Sequence, residues 1–573
     1  MSVLTLYDQL QEQVRSRPDK IAVVHCQGAG RVRRVTFAEL GGMARKFAAS
    51  LAVGWAYSPA NSHNTKSPVG EYAHPAQSMG GYAHPSVIPI FMGKSPACIA
   101  AMFGAIGAGS AFACLNRKLR PPQINAILGA TGPGVAITDG PGATVLAAGL
   151  NADSPTARMR WWVVEDEAML PAQRKAVEQM RAAREAEYWS EVQTQTRAGS
   201  PCHEHNPCRI VGCCLFTSGS TGRPKGVLIA ESDLRARAAA EIECFGITAD
   251  DVLLNVLPFS FDVGLNQVLT AILAGCTIVL LDSWLPADII RATGEFKVTG
   301  ISAVPAIWSD MLAAGLSFDP AGAGQSLRYL TISGGDMAPQ HLQRMPALAG
   351  KAGIFKTYGQ TEAFRATSLR PEEFAARTQS VGRPFGSARI YIVRENGSRC
   401  EPNEQGEIVH TGLGTMLGYL DADDPQSKLR PNPFRASDDP ADVAIFTGDL
   451  GWFDEQGYLY VKGRRDEMLK VAGNRVYPQE VVAHLLALGG IAAAEVVGVK
   501  SESNETTLVA FVVLASGAAH SAADIRRQLA NRVSSYMVPR EVVILPAMPR
   551  TASGKPDRPA LLERAKVLLQ GGT

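Results

Sequence analysis

The sequence predicts an α/β fold with a largely parallel sheet, and three observations carry that expectation. In the first third, short apolar runs of strand type alternate with segments of helical spacing, the pattern of a sheet whose strands are joined through helices. The chain has 573 residues, 46% hydrophobic and 19% charged, ample for a large core and too apolar for disorder. Its 55 glycines and 35 prolines supply the loops that such alternation needs. At about 150 residues per domain, this length implies roughly three to four domains or subdomains.

The elements follow in order. Residues 7–15 have helical spacing, IAVVHC (21–26) is a short apolar strand, and TFAELGGMARKFAASL from Thr36 is again helical. Between Ala52 and Pro85 the pattern stops in a Ser-, Asn-, Gly- and Pro-rich stretch with a near-repeat, EYAHP at Glu71 and GYAHP at Gly81. Loops beyond about 15 residues are usually functional or disordered; no chemistry follows from Tyr-Ala-His-Pro, and a surface excursion is expected. The core pattern resumes at VIPIFM and ACIAAMFGAIGAG, whose small residues allow close packing. QRKAVEQMRAAREAEYWSEV, with interspersed charges, reads as a solvated helix. VLTAILAGCTIVLL, from Val268 to Leu281, is shorter than the ~20 residues of a membrane span and reads as a buried helix followed by a strand.

Charge and cysteine usage exclude several function classes. Lys+Arg 56 against Asp+Glu 54 leaves +2, so neither a nucleic-acid nor a membrane-surface partner is expected. The start, MSVLTLYDQLQEQ, lacks the basic stretch and apolar run of an export signal, so a cytoplasmic location is expected. There the ten cysteines stay reduced, mostly as small core residues. Cys202, His203, His205 and Cys208 are residue types that zinc accepts, but CHEHNPC matches no common zinc spacing and reads as a polar linker.

Beyond residue 210 the chain becomes dense in chemistry. LFTSGSTGRPKGVLIA, from Leu215, places a loop of hydroxylated residues, glycines and one lysine between two apolar runs. Such a loop offers backbone N–H groups, hydroxyls and a positive charge to phosphate oxygens. It is not a Walker A loop, because only two residues separate Gly219 from Gly222. The string closely resembles the phosphate loop of the adenylate-forming superfamily that unites acyl-CoA synthetases, nonribosomal peptide synthetase adenylation domains and luciferases. The resemblance recurs in order over nearly the whole chain: SGGDMA at Ser333, YGQTEA at Tyr358, GEIVHTGLGTMLGYL at Gly406, TGDLGWFDEQGYLY at Thr447, GRRDEMLKVAGNRVYPQEV at Gly463 and PRTASGKPDR at Pro549.

The resemblance implies a two-step reaction: a carboxylate attacks the α-phosphorus of ATP to give acyl-AMP and pyrophosphate, and a thiol then displaces AMP. Positioning and electrostatic stabilisation should dominate. By the same resemblance Thr217, Ser218, Gly219, Ser220, Thr221 and Lys225 hold the β- and γ-phosphates. Gly335 and Asp336 line the adenine pocket, although Asp336 could equally cap a helix. In YGQTE, Tyr358 stacks on adenine, Gly359 and Gln360 flank the nucleotide, Thr361 meets the α-phosphate and Glu362 helps hold Mg²⁺. Asp449 accepts from the ribose hydroxyls and Arg464 approaches the same sugar. Lys555 resembles the adenylation lysine, so Thr217, Glu362 and Lys555 are the expected catalytic residues. Asp466 matches a hinge, and Gly473 the approach to a pantetheine tunnel.

The implied architecture is a large N-terminal domain, 1–464, of two α/β subdomains plus a small β-barrel-like portion, followed by a small mobile α+β C-terminal domain, 465–573. Asp262 stands where amino-acid-activating members keep a carboxylate for the substrate ammonium. A buried carboxylate must be paired, so Asp262 meets either a substrate amine or a protein cation, for which Arg365 is the candidate. The remaining pocket lining would be Val263, Asn266, Ala303, Gly334, Thr357 and Ala366. No carrier-protein site follows the lysine motif, so a stand-alone enzyme is expected. Its acceptor is CoA or the phosphopantetheine of a separate carrier protein. The main expectation is activation of an amino acid for a carrier protein in trans; the alternative is an acyl-CoA or aryl-CoA ligase.

Overall fold

The computed structural model describes residues 4–27, 31–56, 86–119, 121–131, 135–147, 159–164, 210–218, 224–421, 428–434, 442–465, 469–471, 474–500, 506–551 and 554–570. The chain divides into two compact units, Met1–Asp282 with Gly414–Ser427, and Ser283–Leu413 with Lys428–Thr573.

The first unit opens with the helix Leu6–Ser16. Thr5 caps it through a capping box, its hydroxyl accepting from the Asp8 N–H while Asp8 accepts from the Thr5 N–H. The apolar stretch predicted at 21–26 is the strand Ile21–Gln27, parallel to Thr277–Leu281, which in turn runs parallel to Val252–Asn255. The next helix runs from Phe37 to Ala56, one turn past the point where the sequence pattern stops. The remaining residues of the expected 52–85 loop, 57–85, lie outside the described residues, as do the helix expected from QRKAVEQ and the CHEHNPC segment.

The small residues of ACIAAMFGAIGAG form the helix Pro96–Gly107, started by Ser95, whose hydroxyl accepts from the Cys98 N–H. Close packing explains their size: a Cβ on Gly104 would stand 2.4 Å from Phe47 Cβ and 2.9 Å from the Ala44 carbonyl on the Phe37–Ala56 helix. A second sheet runs in the order Gly418–Tyr419, Pro224–Ala230, Val211–Ser218, Ala111–Cys114, Val87–Phe91, Val135–Asp139, Arg160–Val164. It is parallel from Val211–Ser218 onward and antiparallel at its first two pairings. Residues 268–281 are the end of the buried helix Asp262–Ala274 and the strand Thr277–Leu281, turned by Gly275 at φ 68°.

In the second unit the strands Gly300–Ala303, Tyr329–Ile332 and Gly353–Gln360 are parallel, and Phe364–Leu369 returns antiparallel to Gly353–Gln360. A five-stranded antiparallel sheet follows, in which Val443–Phe453 pairs with Gly406–Gly412, Leu429–Pro431 and Leu459–Arg464. Toward the C-terminus, Ile491–Lys500, Thr506–Leu514 and Glu541–Ile544 form a three-stranded sheet. It buries Leu508, Ala510 and Val512 on one face and Val509 and Phe511 on the other, the alternation of a sheet covered on both sides. Val481 and Leu485 of the helix Pro478–Leu486 cover the first face, and Leu561 and Ala565 of Arg558–Gln570 the second. No described helix is long and apolar enough to cross a membrane.

Candidate active site

In the first unit, the phosphate-loop motif joins two antiparallel strands, Val211–Ser218 and Pro224–Ala230, in a register that sets Thr217 opposite Lys225. Gly226 is required by crowding, because a Cβ there would lie 2.9 Å from Cys214 Sγ and 3.0 Å from the Phe216 ring. The Lys225 ammonium stands 5.5 Å from the centre of the Tyr419 ring, a cation–π contact. Gly219, Ser220 and Thr221 lie outside the described residues, and only the backbone of Ser218 is described.

The same unit holds Asp262, Val263 and Asn266, all buried at the start of the Asp262–Ala274 helix. Asn266 is 2% exposed, and its amide nitrogen and oxygen make no hydrogen bond among the described residues. Such an amide costs about 1–3 kcal/mol unless something satisfies it. Arg365, the candidate partner of Asp262, is buried in the second unit.

The second unit gathers the nucleotide motifs. Asp449 stands opposite Arg464 in the pairing of Val443–Phe453 with Leu459–Arg464, their charged atoms 3.8 Å apart. Its carboxylate accepts from the Tyr358 hydroxyl at 2.6 Å and from Gln360 Nε2 at 2.6 Å. Gln360 Nε2 also donates to the Thr447 carbonyl, while Gln360 Oε1 accepts from Lys428 Nζ at 2.9 Å. The same ammonium lies 2.8 Å from the Glu362 carboxylate. Burial raises the Asp449 carboxyl above the usual carboxylate range, opposed by the Tyr358 hydrogen bond, the Arg464 charge, the Gln360 hydrogen bond and the Lys428 charge. Burial, with the Asp449 charge beside it, likewise holds the Tyr358 phenol well above its ordinary value.

Gly359 is held by crowding, since a Cβ would fall 1.8 Å from the Phe364 carbonyl oxygen. Thr361 follows in the turn to Phe364. Thr357 is buried on the same strand, its hydroxyl 2.7 Å from Ser333 Oγ. Gly334 adopts φ 80°, and Gly335 and Asp336 after it are exposed. Asp336 accepts from the Met337 N–H and does not cap the following helix, Pro339–Ala349, whose N-cap is Ala338. Ala303 ends the strand Gly300–Ala303, and Ala366 is packed in the apolar cluster of Val381, Ile390, Ile392, Ile408 and Leu459.

Lys555 is exposed on a tight turn, its carbonyl accepting from the Thr551 N–H at 2.7 Å. Asp466 and Gly473 lie outside the described residues. The structure adds Lys428 and Tyr419, which the sequence reading missed. Lys428 sits in SKLRPNPF, a string with no chemical signature, and its two partners are more than 60 residues away. Tyr419 lies in the GYL that closes a recognised motif, the one signal that could have singled it out.

Comparison with known proteins identifies the family. Residues 77–420 match the family described as AMP-binding enzyme, and residues 480–555 the AMP-binding enzyme C-terminal domain. A 2-succinylbenzoate–CoA ligase of Enterococcus faecalis is 32% identical over 348 residues, 60% of this chain and 68% of that protein. An indoleacetate–CoA ligase of Aromatoleum aromaticum is 33% identical over 59% of this chain and 64% of its own length. Bacitracin synthase 3 of Bacillus licheniformis is 30% identical over 62% of this chain, a stretch that is 5% of that protein. Among solved structures, o-succinylbenzoate CoA synthetase of Bacillus subtilis superposes with TM-score 0.70 at 24% identity, covering 96% of this chain and 97% of the other. The anthranilate CoA ligase AuaEII superposes with TM-score 0.75 at 20% identity, covering 99% and 98%. The chain belongs to the AMP-binding enzymes, the adenylate-forming superfamily that its motifs indicated, and is an AMP-forming ligase.

Proposed function

We propose that this protein is an acyl-CoA or aryl-CoA ligase: it activates a carboxylic acid as acyl-AMP at the expense of ATP and transfers the acyl group to CoA. The observation that carries this reading is the hydrogen-bonded cluster of half-buried Tyr358, Gln360 and Lys428 around the buried carboxylates Asp449 and Glu362, where carboxylate, amide and ammonium groups stand ready to exchange partners with a nucleotide. The relatives named as CoA ligases favour CoA as acceptor. They move the amino-acid and carrier-protein expectation to second place, where the similarity to bacitracin synthase 3 and the carboxylate of Asp262 keep it.

In this reading Asp449 accepts hydrogen bonds from the ribose hydroxyls, for which its ionised form is required, and Arg464 lies across the strand pair from it. Tyr358 supplies a neutral aromatic face to adenine. Thr217, Ser218, Gly219, Ser220, Thr221 and Lys225 hold the outer phosphates, and Lys555 meets the carboxylate and α-phosphate as charge is redistributed. The donor set suits Mg²⁺. Glu362 is a buried carboxylate already compensated by a cation, and no group of three or more His, Cys, Asp or Glu among the described residues competes as a metal cage. Glu362 would hold the ion together with ATP phosphates, the usual mode for Mg²⁺, and the ion would neutralise phosphate charge. The residues that the family resemblance assigns to the acid are Asp262, Val263 and Asn266 in the first unit and Ala303, Gly334, Thr357, Arg365 and Ala366 in the second. The unsatisfied amide of Asn266 favours an acid with a hydrogen-bonding substituent over a plain alkyl chain. The division at 464/465, the Asp466 hinge and the Gly473 tunnel complete the proposal.

The test is ATP–pyrophosphate exchange across aryl, dicarboxylic, fatty and amino acids, with Lys555→Ala as control. Exchange with aryl or dicarboxylic acids supports the reading; exchange confined to amino acids, and lost in Asp262→Ala, returns the carrier-protein reading to first place.

A further inference from the structure

The turn that carries Lys555 is fastened twice over. Within itself it is closed by Thr551 N–H to the Lys555 carbonyl at 2.7 Å, Gly554 N–H to the Thr551 carbonyl at 3.0 Å and Asp557 N–H to the Pro549 carbonyl at 2.9 Å. It is also seated on side chains more than 200 residues away in sequence. Gly554, at φ 85° and buried, lies against the indole of Trp284, so closely that a Cβ would fall 2.8 Å from the ring, and against Val304. Arg550 spans both levels: Nη1 donates to the Gly554 carbonyl at 3.2 Å, and Nη2 to Asp310 Oδ1 at 3.1 Å. Asp310 belongs to the helix Pro305–Ala313, which follows the strand that ends in Ala303.

We propose that Arg550, Asp310 and Trp284 are positioning residues that seat the Lys555 turn for acyl-adenylate formation. They touch neither substrate nor nucleotide in this proposal; they fix the backbone from which the Lys555 side chain extends. The inference rests on the proposed role of Lys555. If Lys555 serves only the step in which the carboxylate meets ATP, loosening its turn slows that step and leaves transfer from a ready-made acyl-adenylate intact. A merely structural role would slow both. Gly554 has the most to lose, because Ala there must displace the indole and adopt a left-handed backbone that Cβ disfavours. A displacement of about 1 Å at a catalytic group costs on the order of a hundredfold.

The experiment compares Arg550→Ala, Asp310→Ala, Gly554→Ala and Lys555→Ala in the full chain, with two readouts. The first is hydrogen–deuterium exchange of ligand-free protein. The seat predicts faster exchange over residues 549–557 in the first three variants, with 506–514 unchanged. The second separates the half-reactions, using ATP–pyrophosphate exchange with benzoate and 2-succinylbenzoate, and CoA thioester formation from synthetic benzoyl-AMP and 2-succinylbenzoyl-AMP. The expected result is pyrophosphate exchange down about tenfold in Arg550→Ala and Asp310→Ala and about a hundredfold in Gly554→Ala, with thioester formation within about twofold of the parent. Unchanged hydrogen exchange at 549–557, or equal losses in both half-reactions, overturns the seat. If Lys555→Ala abolishes pyrophosphate exchange while the three variants keep it, the seat falls and the role of Lys555 stands. If Lys555→Ala keeps it, both fall.

Discussion

Two half-buried lysines, one in each unit, show how similar chemistry serves different ends. Lys94 in the first unit donates to the main-chain carbonyls of Asn255 at 3.0 Å and Leu281 at 2.6 Å, with the Asp282 carboxylate at 3.5 Å. Those carbonyls stand at the ends of two neighbouring strands, Val252–Asn255 and Thr277–Leu281. Lys428 in the second unit is held by the side chains of Glu362 and Gln360, both within the motif expected to handle metal and nucleotide. Partners on the backbone make a rivet. Partners on side chains would make Lys428, under the proposed function, a placeholder: a cation that keeps the Glu362 carboxylate compensated until a ligand re-pairs it.

The largest effect that would sharpen this contrast is in Lys428→Met. Removing the ammonium leaves Glu362 buried without it, and we expect pyrophosphate exchange to fall about a hundredfold, roughly 3 kcal/mol of transition-state stabilisation, with the melting temperature shifted by only a few degrees. Equal loss of stability and activity would make Lys428 another rivet. Lys94→Met should do the reverse, lowering stability by about 2 kcal/mol in denaturant titration while exchange by the folded fraction stays within about twofold.

The Lys94 rivet also carries a pH dependence. Burial pushes the Lys94 ammonium down to about 8 in the folded chain, against its ordinary 10.5. Between those values the native state releases its proton before the unfolded chain does, so the unfolded state binds more protons and stability rises with pH across that window. We expect a gain on the order of 1 kcal/mol between about pH 8 and 9.5, flattened in Lys94→Met, and chemical denaturation at the two pH values checks it. The smallest effect concerns Asp449, whose carboxyl burial raises. Ribose hydroxyls need the ionised form, so AMP affinity should weaken about threefold between about pH 7 and 5 with proton release on binding, both flattened in Asp449→Asn and measurable by calorimetry in two buffers.

The same contrast explains what was legible in the sequence. Asp449, Tyr358, Glu362 and Lys555 stand in compact strings whose spacing survives in one dimension, so each could be given a proposed role from the family that those strings resemble. Lys94 and Lys428 could not, because the partners that give each lysine its meaning lie at least 66 residues away, the separation of Lys428 from Glu362. Local packing was legible where side chains were diagnostic, as in the small residues of Pro96–Gly107. It failed at the strand Arg31–Thr36, whose three arginines hide an antiparallel edge, half of it exposed. Reading Asp336 as a possible cap failed for a geometric reason: the helix begins three residues later, at Pro339, beyond its reach.

The proposed reaction forms an acyl-adenylate and transfers its acyl group to the CoA thiol, with AMP leaving. The most direct measurement is mass-spectrometric quantification of products from purified protein incubated with ATP, Mg²⁺, CoA and a panel containing 2-succinylbenzoate, indoleacetate and anthranilate. Acyl-CoA and AMP appearing in equal amounts, with both lost in Lys555→Ala, is the predicted result. ADP in place of AMP, or adenylates formed with amino acids alone and no CoA thioester, would contradict it.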